Sequence, residues 1–145
     1  MNYQMWTLRN GALRVEKYTG TFSKKDIMEN DQEFFGDPPP PNERLLCISD
    51  LSQAKFPDIS TADMADLFSA IDENADTTYQ MKNAIYAGVS NFADYQTINE
   101  YLSEGTKRAM SIIAFTKLKD CCSWLGLTPE ETTQVNELLL GNSTK

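Results

Sequence analysis

The chain contains no histidine. That absence removes Ser-His and Cys-His nucleophile pairs and every zinc site that needs an imidazole. Its three cysteines are too few for a four-thiolate zinc site. An odd, small number of cysteines fits a reducing compartment better than a disulfide framework. Positive charge is scarce too: 13 Lys and Arg stand against 21 Asp and Glu, a net charge of -8. The basic residues are scattered, with adjacent pairs only at Lys24-Lys25 and Lys107-Arg108. Nucleic acid is therefore excluded as a partner, because neutralising phosphates takes a basic face. An anionic membrane surface is disfavoured for the same reason. No apolar run approaches the ~20 residues of a spanning helix, so no membrane insertion is expected. The opening residues, MNYQMWTLRNG, lack a charged segment followed by an apolar one. A signal peptide is thus not expected, and a cytoplasmic location is.

What is present suits a single globular domain. The 145 residues, 41% of them hydrophobic, are enough to bury a core. The stretch Leu45 to Ile71 organises the rest. An apolar strand, Leu45 to Ser49, reads as central because it is apolar on both faces. A polar loop with Asp50, Ser52, Asp58 and Ser60 follows, then a helix from Thr61. Ser60 is placed to cap that helix, with Asp63 at its third position and Ile59 stapled to Met64. Met64, Leu67, Phe68 and Ile71 keep the i, i+3, i+4, i+7 spacing of one buried stripe.

Upstream, Gln4 to Arg9 and Ala12 to Tyr18 flank Asn10-Gly11, the sequence of a two-residue hairpin turn. Trp6, Leu8, Leu13 and Val15 alternate with polar residues, which predicts one buried hairpin face. Ser23 and Asp26 form a second capping pair, with Phe22 and Ile27 as its staple. That helix offers Ile27, Met28, Phe34 and Phe35 to a core and stops at Gly36. Four consecutive prolines, Pro38 to Pro41, predict an extended, rigid connector. Downstream, strands are predicted over Asn83 to Val89 and Lys107 to Phe115. Ser90-Asn91 caps a helix bearing Tyr95, Ile98 and Leu102. Thr116 caps another bearing Leu118, Cys121, Cys122 and Leu125. Thr128-Pro129-Glu130-Glu131 starts a last helix, docked by Val135, Leu138 and Leu139 and ended at Gly141. The order ββαβαβαβα plus a terminal helix predicts an α/β fold. Its central sheet is mixed and mostly parallel, with an N-terminal antiparallel hairpin and flanking helices.

This order resembles the STAS and SpoIIAA-like superfamily of anti-sigma-factor antagonists, and within it a branch of small bacterial proteins called SpoIIAA-like. Three local matches carry the resemblance: Asp50-Leu51-Ser52 after a central strand, the capped helix beginning at Ser60, and the ending Leu118 to Leu127, LKDCCSWLGL. It covers Trp6 to Leu127. It implies a SpoIIAA-like domain over residues 1–127, with 128–145 a C-terminal helix and tail of the same domain. In regulatory members of the superfamily a serine at the start of that helix is phosphorylated, and Ser60 occupies the equivalent place. The family pattern Asp-Ser-Ser-Gly reads Asp58-Ile59-Ser60-Thr61 here. The wider fold also resembles the lipid-binding CRAL-TRIO domains.

The expected function is accordingly a non-enzymatic regulatory module with a protein partner. The alternative is a carrier or sensor of a small apolar ligand. Ser60 is the phosphoacceptor candidate, though the capping box explains the residue fully. The partner-binding candidates are Asp50, Ser52, Asp58, Ser60, Thr61, Met64, Ser90, Asn91 and Thr116, because three helix N-termini would meet at one sheet edge. Asp50 and Asp58 lack the third acid or glycine-rich loop of a magnesium site, so neither metal nor cofactor is expected. A nucleophile paired with a base is not visible in the sequence, and no catalytic residue is assigned. Trp6, Tyr86, Phe92, Tyr95, Phe115 and Trp124 read as core unless a void exists. Glu29, Asp31, Glu33, Asp72, Glu73 and Asp76 read as a solvated acidic face. A homodimer is a generic expectation for a small soluble protein.

Overall fold

In a computed structural model, residues 2–35, 44–57, 59–60, 62–63, 66–67, 81–87, 102–103 and 111–141 are described. β1 (Asn2–Leu8) and β2 (Leu13–Thr21) pair antiparallel, with Leu8 opposite Leu13. The connection is longer than the Asn10-Gly11 turn expected. It takes four residues, and a 3-10 turn occupies Arg9–Gly11. Arg9, Asn10 and Gly11 all have positive φ, at 53°, 54° and 93°. Asparagine and glycine accept that conformation readily, whereas arginine does not. Arg9 is held there by a forked contact to Glu131, with Nε and Nη2 donating at 2.8 and 2.6 Å. A contact between residues far apart in sequence thus accompanies the longer loop.

β3 (Leu46–Lys55), β4 (Lys82–Tyr86) and β5 (Ser111–Phe115) complete a five-stranded sheet in the order β1-β2-β3-β4-β5. All pairs after the hairpin are parallel. The mixed, mostly parallel sheet is the one the sequence predicted. The outer parts of the two later strand predictions, residues 88–89 and 107–110, lie outside the described residues.

β3 departs from expectation. It does not end at Ser49 but runs on to Lys55. Lys17 faces Asp50 and Thr19 faces Gln53, so β3 carries one residue more than β2 at this point. That is a β-bulge. Asp50 Oδ1 accepts from the Ser52 backbone N–H at 2.9 Å and from Ser52 Oγ at 2.6 Å. From sequence, Asp50-Leu51-Ser52 belongs to the polar loop after the strand. Its local hydrogen bonds are real, but neighbouring strands hold the backbone extended on either side.

Three helices are described in full: α1 (Lys24–Phe35), α2 (Leu118–Leu125) and α3 (Pro129–Leu140). α1 starts with the expected box, Asp26 N–H to Ser23 Oγ at 3.2 Å and Ser23 N–H to Asp26 Oδ2 at 2.9 Å. α3 has the same device in Thr128 and Glu131, with Pro129 at its first position. α2 does not start at a Thr116 cap. Its N-cap is Lys117, with no side-chain cap bond. Both α2 and α3 end on glycines in the left-handed conformation, Gly126 and Gly141, as helix stops require. Residues 62–63, 66–67 and 102–103 are helical, inside the two helices expected between β3 and β5.

The two faces of the sheet are unlike. One is covered by α2 and α3, and Leu13, Val15, Leu46, Ile48 and Ala84 meet Leu118, Cys121, Cys122, Leu125, Val135 and Leu139 there. Two lysines tie the helix C-termini to this face. Lys17 Nζ donates to Leu139 O at 2.7 Å, and Lys82 Nζ to Trp124 O at 2.6 Å. Cations suit carbonyl-rich helix ends. The other face lies under α1. There Phe34, Leu45, Leu67, Met81, Ile85 and Ile112 form a core, and its centre is polar.

Candidate functional site

In β2, residues Arg14, Glu16 and Tyr18 point to the face opposite Leu13 and Val15. On an edge hairpin that face would meet water. Here β3 lies beside β2 and α1 lies over it, so Arg14 is 1% exposed and Glu16 8%. Burying charge is costly unless it is satisfied. Arg14 places its guanidinium 5.0 Å from the Phe34 ring centroid and donates to the Phe34 carbonyl. Glu16 accepts from Ser49 Oγ at 2.5 Å and from Tyr3 Oη at 2.7 Å. Cys47 Sγ lies 3.8 Å from its Oε2. Asn83 Nδ2 donates to Ser49 Oγ at 3.1 Å and to Cys47 O at 3.3 Å. The register explains the grouping. Glu16 is paired with Ser49, and Cys47 with Asn83, across three adjacent strands.

This polar floor opens into a half-enclosed cavity of about 80 Å³. At ~15 Å³ of such space per molecule it would hold about five waters. Glu16, Tyr18, Ser49 and Asn83 line it on the sheet side, with Leu51, Phe56 and Ile85. Ile27 and Asp31 contribute from α1, and Leu67 from the helical segment after β3. Tyr18, Phe22 and Phe56 pack edge to face or tilted at centroid distances of 5.0 to 6.4 Å, which braces one wall.

The electrostatics are those of confined acids. Burial raises the Glu16 pKa, and the bonds from Ser49, Tyr3, Cys47 and Tyr18 only partly oppose it. Burial and the Glu16 charge push Asp31 up from 3.8 to about 8. Burial, then the neighbouring Glu16, also raises Tyr3 and Cys47. Asp31 makes no hydrogen bond or ion pair with any described residue, although it forms part of the cavity wall. Ser49 differs: its proton goes to Glu16, and it accepts from Asn83. The Ser49–Glu16 contact joins a hydroxyl to a base, but its oxygen is committed on both sides. Among the described residues no three Cys, Asp or Glu side chains gather to hold a metal ion.

The residues singled out from sequence sit elsewhere. Asp50 is buried at 2% exposure on the α2 side of the sheet, near Cys121, and holds the bulge through Ser52. Ser60 is exposed and caps its helix. Asp63 N–H donates to Ser60 Oγ and Ser60 N–H to Asp63 Oδ2, each at 3.1 Å. Thr116 is exposed after β5. Asp58, Thr61, Met64, Ser90 and Asn91 lie outside the described residues. Asp50, Tyr86 and Phe115 form one row across three parallel strands; β4 and β5 end there, whereas β3 runs on to Lys55, so its exit does not share that edge. Of the aromatics, Trp6, Tyr86, Phe115 and Trp124 pack into the α2–α3 core rather than lining a void. Phe92 and Tyr95 are outside the described residues. Of the expected acidic face, Glu29 and Glu33 are exposed, whereas Asp31 is half-buried and lines the cavity. The residues that sequence reasoning missed are Glu16, Tyr18, Ser49, Asn83 and Phe56. Their one trace was the polar half of the β2 alternation, which is informative only once β2 is known to be covered on both faces.

No family model matches the chain, and no curated protein does. Among solved structures it is similar to an uncharacterised protein of the DUF3478 family, with a SpoIIAA-like fold, from Shewanella loihica PV-4. The two are 11% identical over 86% of this chain and 92% of the other, with a TM-score of 0.50. At that identity the likeness is one of fold. This chain therefore has a SpoIIAA-like fold, as the sequence resemblance implied. Among the described residues, no helix is long and apolar enough to cross a membrane.

Proposed function

We propose that the chain is a non-enzymatic binding module, a carrier or sensor whose ligand is small and largely apolar and lies between α1 and the sheet. The observation that carries this reading is the cavity beneath α1, with apolar walls and convergent polar groups on its floor. Ile27, Leu51, Phe56, Leu67 and Ile85 supply apolar contact, while Ser49, Asn83 and Glu16 orient one polar end. The protein-partner reading keeps less support. Ser60 Oγ is engaged as a cap, and a phosphoryl group there would meet the Asp63 carboxylate.

The test is a titration of the isotope-labelled protein with 1-hexanol, followed by amide and methyl NMR shifts. Saturable shifts centred on Ile27, Leu51, Phe56, Leu67 and Ile85 are expected. They should vanish in Leu51→Trp, whose indole would fill the cavity, with circular dichroism reporting an intact fold. Shifts that are absent, or spread evenly over the surface, would remove the reading.

A further inference from the structure

The cavity joins an apolar wall to two carboxyl groups, and only one of the two is provided for. Glu16 is fixed by Ser49 Oγ and Tyr3 Oη. Asp31 borders the same space, half-buried, and no described residue offers it a donor or a positive charge. A carboxyl group facing an apolar cavity wall without a partner leaves a place for a donor or a cation. The groups that reach this region are Tyr3 from β1, Arg14, Glu16 and Tyr18 from β2, Glu33 from α1 and Cys47 from β3. β4 contributes the neutral Asn83. Arg14, the one cation among these, is turned to Phe34 and does not line the cavity. Tyr18 and Phe56 add aromatic faces, which also attract cations.

From this arrangement we infer that the ligand is an amine, its ammonium group set against Asp31 and its apolar part against Ile27, Leu51, Leu67 and Ile85. This inference rests on the binding-module reading and narrows it to one ligand chemistry. An anionic head group would add negative charge beside two carboxyl groups that burial already disfavours as anions. A neutral alcohol could hydrogen-bond the protonated Asp31 carboxyl but would gain no charge pairing with it. The unliganded site holds a proton on Asp31, and an ammonium ion displaces it. Binding therefore releases a proton below the raised titration point of Asp31.

The experiment uses three probes of equal length, n-hexylamine, 1-hexanol and hexanoate, with the intact chain in isothermal titration calorimetry. Buffers of different ionisation heat count the protons released. Hexylamine is expected to bind at least about tenfold more tightly than hexanol near neutral pH. Its affinity should rise up to about tenfold per pH unit between about pH 5.5 and 7.5, with about one proton released. Asp31→Asn should abolish both the pH dependence and the preference over hexanol, with its melting transition confirming the fold. Hexanol or hexanoate binding as tightly as hexylamine, or hexylamine binding without proton release, overturns the inference while the cavity reading stands. If none of the three binds, both fail together.

Discussion

Replacing Asp31 with asparagine should make the protein's stability less dependent on pH, with a sign fixed by the site. In the unfolded chain the Asp31 carboxyl titrates near 3.8, and in the folded chain near 8. Between those values the folded state binds one proton that the unfolded state has lost. Stability contributed by this group is fully present below about pH 3.8 and declines as pH rises through the folded value. A full proton difference corresponds to about 1.4 kcal/mol per pH unit. Asparagine cannot ionise, so the variant lacks this slope. Glu16 remains in both proteins, and its own raised pKa adds a slope common to the two. From pH 5 to pH 6.5 the variant should gain on the order of 1–2 kcal/mol over the parent. Urea denaturation of both proteins at the two pH values measures it directly. A stability difference that is the same at both pH values would refute the reasoning, because Asp31 would then titrate as a solvated acid.

Further outcomes follow from contacts outside the cavity. Lys82→Met removes the 2.6 Å bond to Trp124 O and a cation 4.3 Å from the Trp124 ring centroid, and should cost about 1–2 kcal/mol in urea denaturation. Leu139→Ala, at 1% exposure in the α2–α3 core, should cost about 2–5 kcal/mol on the same assay. Arg9→Ala should weaken the acid limb of the stability profile. Glu131, drawn down from 4.5 to about 2 chiefly by its bond to Arg9, lends stability above pH 4.5 and loses it as pH falls towards 2. Acid unfolding of Arg9→Ala should therefore depend less steeply on pH in that window. Ser60→Ala should cost about 1 kcal/mol, the loss of one capping bond, without altering hexanol affinity.

The frame was readable from sequence because local signals there agree with the tertiary context. The Ser23–Asp26, Ser60–Asp63 and Thr128–Glu131 boxes depend on residues three apart, and all three form. The Leu118, Cys121, Cys122, Leu125 stripe needs only helical periodicity, and it is buried as spaced. Errors fell where a neighbouring element overrides a local preference. Asp50-Leu51-Ser52 has turn chemistry, yet pairing with β2 draws it into a bulge. Thr116 has cap chemistry, yet the helix begins one residue later. The cavity was illegible for a related reason. Leu13, Arg14, Val15 and Glu16 alternate as a half-exposed strand does, and only the parallel register with β3 reveals that the polar half is covered.

That alternation divides the labour between the two faces of the sheet. The α2–α3 side buries an apolar cluster with two lysines at the helix ends and one acid, Asp50, held by Ser52. The α1 side places Arg14, Glu16, Ser49 and Asn83 where leucine or valine would bury more apolar area. A polar group in such a position lowers stability relative to an apolar one of equal volume even when its hydrogen bonds are satisfied. Asp31, half-buried at the cavity wall, has no partner among the described residues. The side of the fold that gives up stability is also the side that holds the cavity, and departures from the apolar rule of this kind gather at binding sites. Residues under α1 should therefore respond to substitution in binding before they respond in folding, and residues under α2 and α3 in the reverse order.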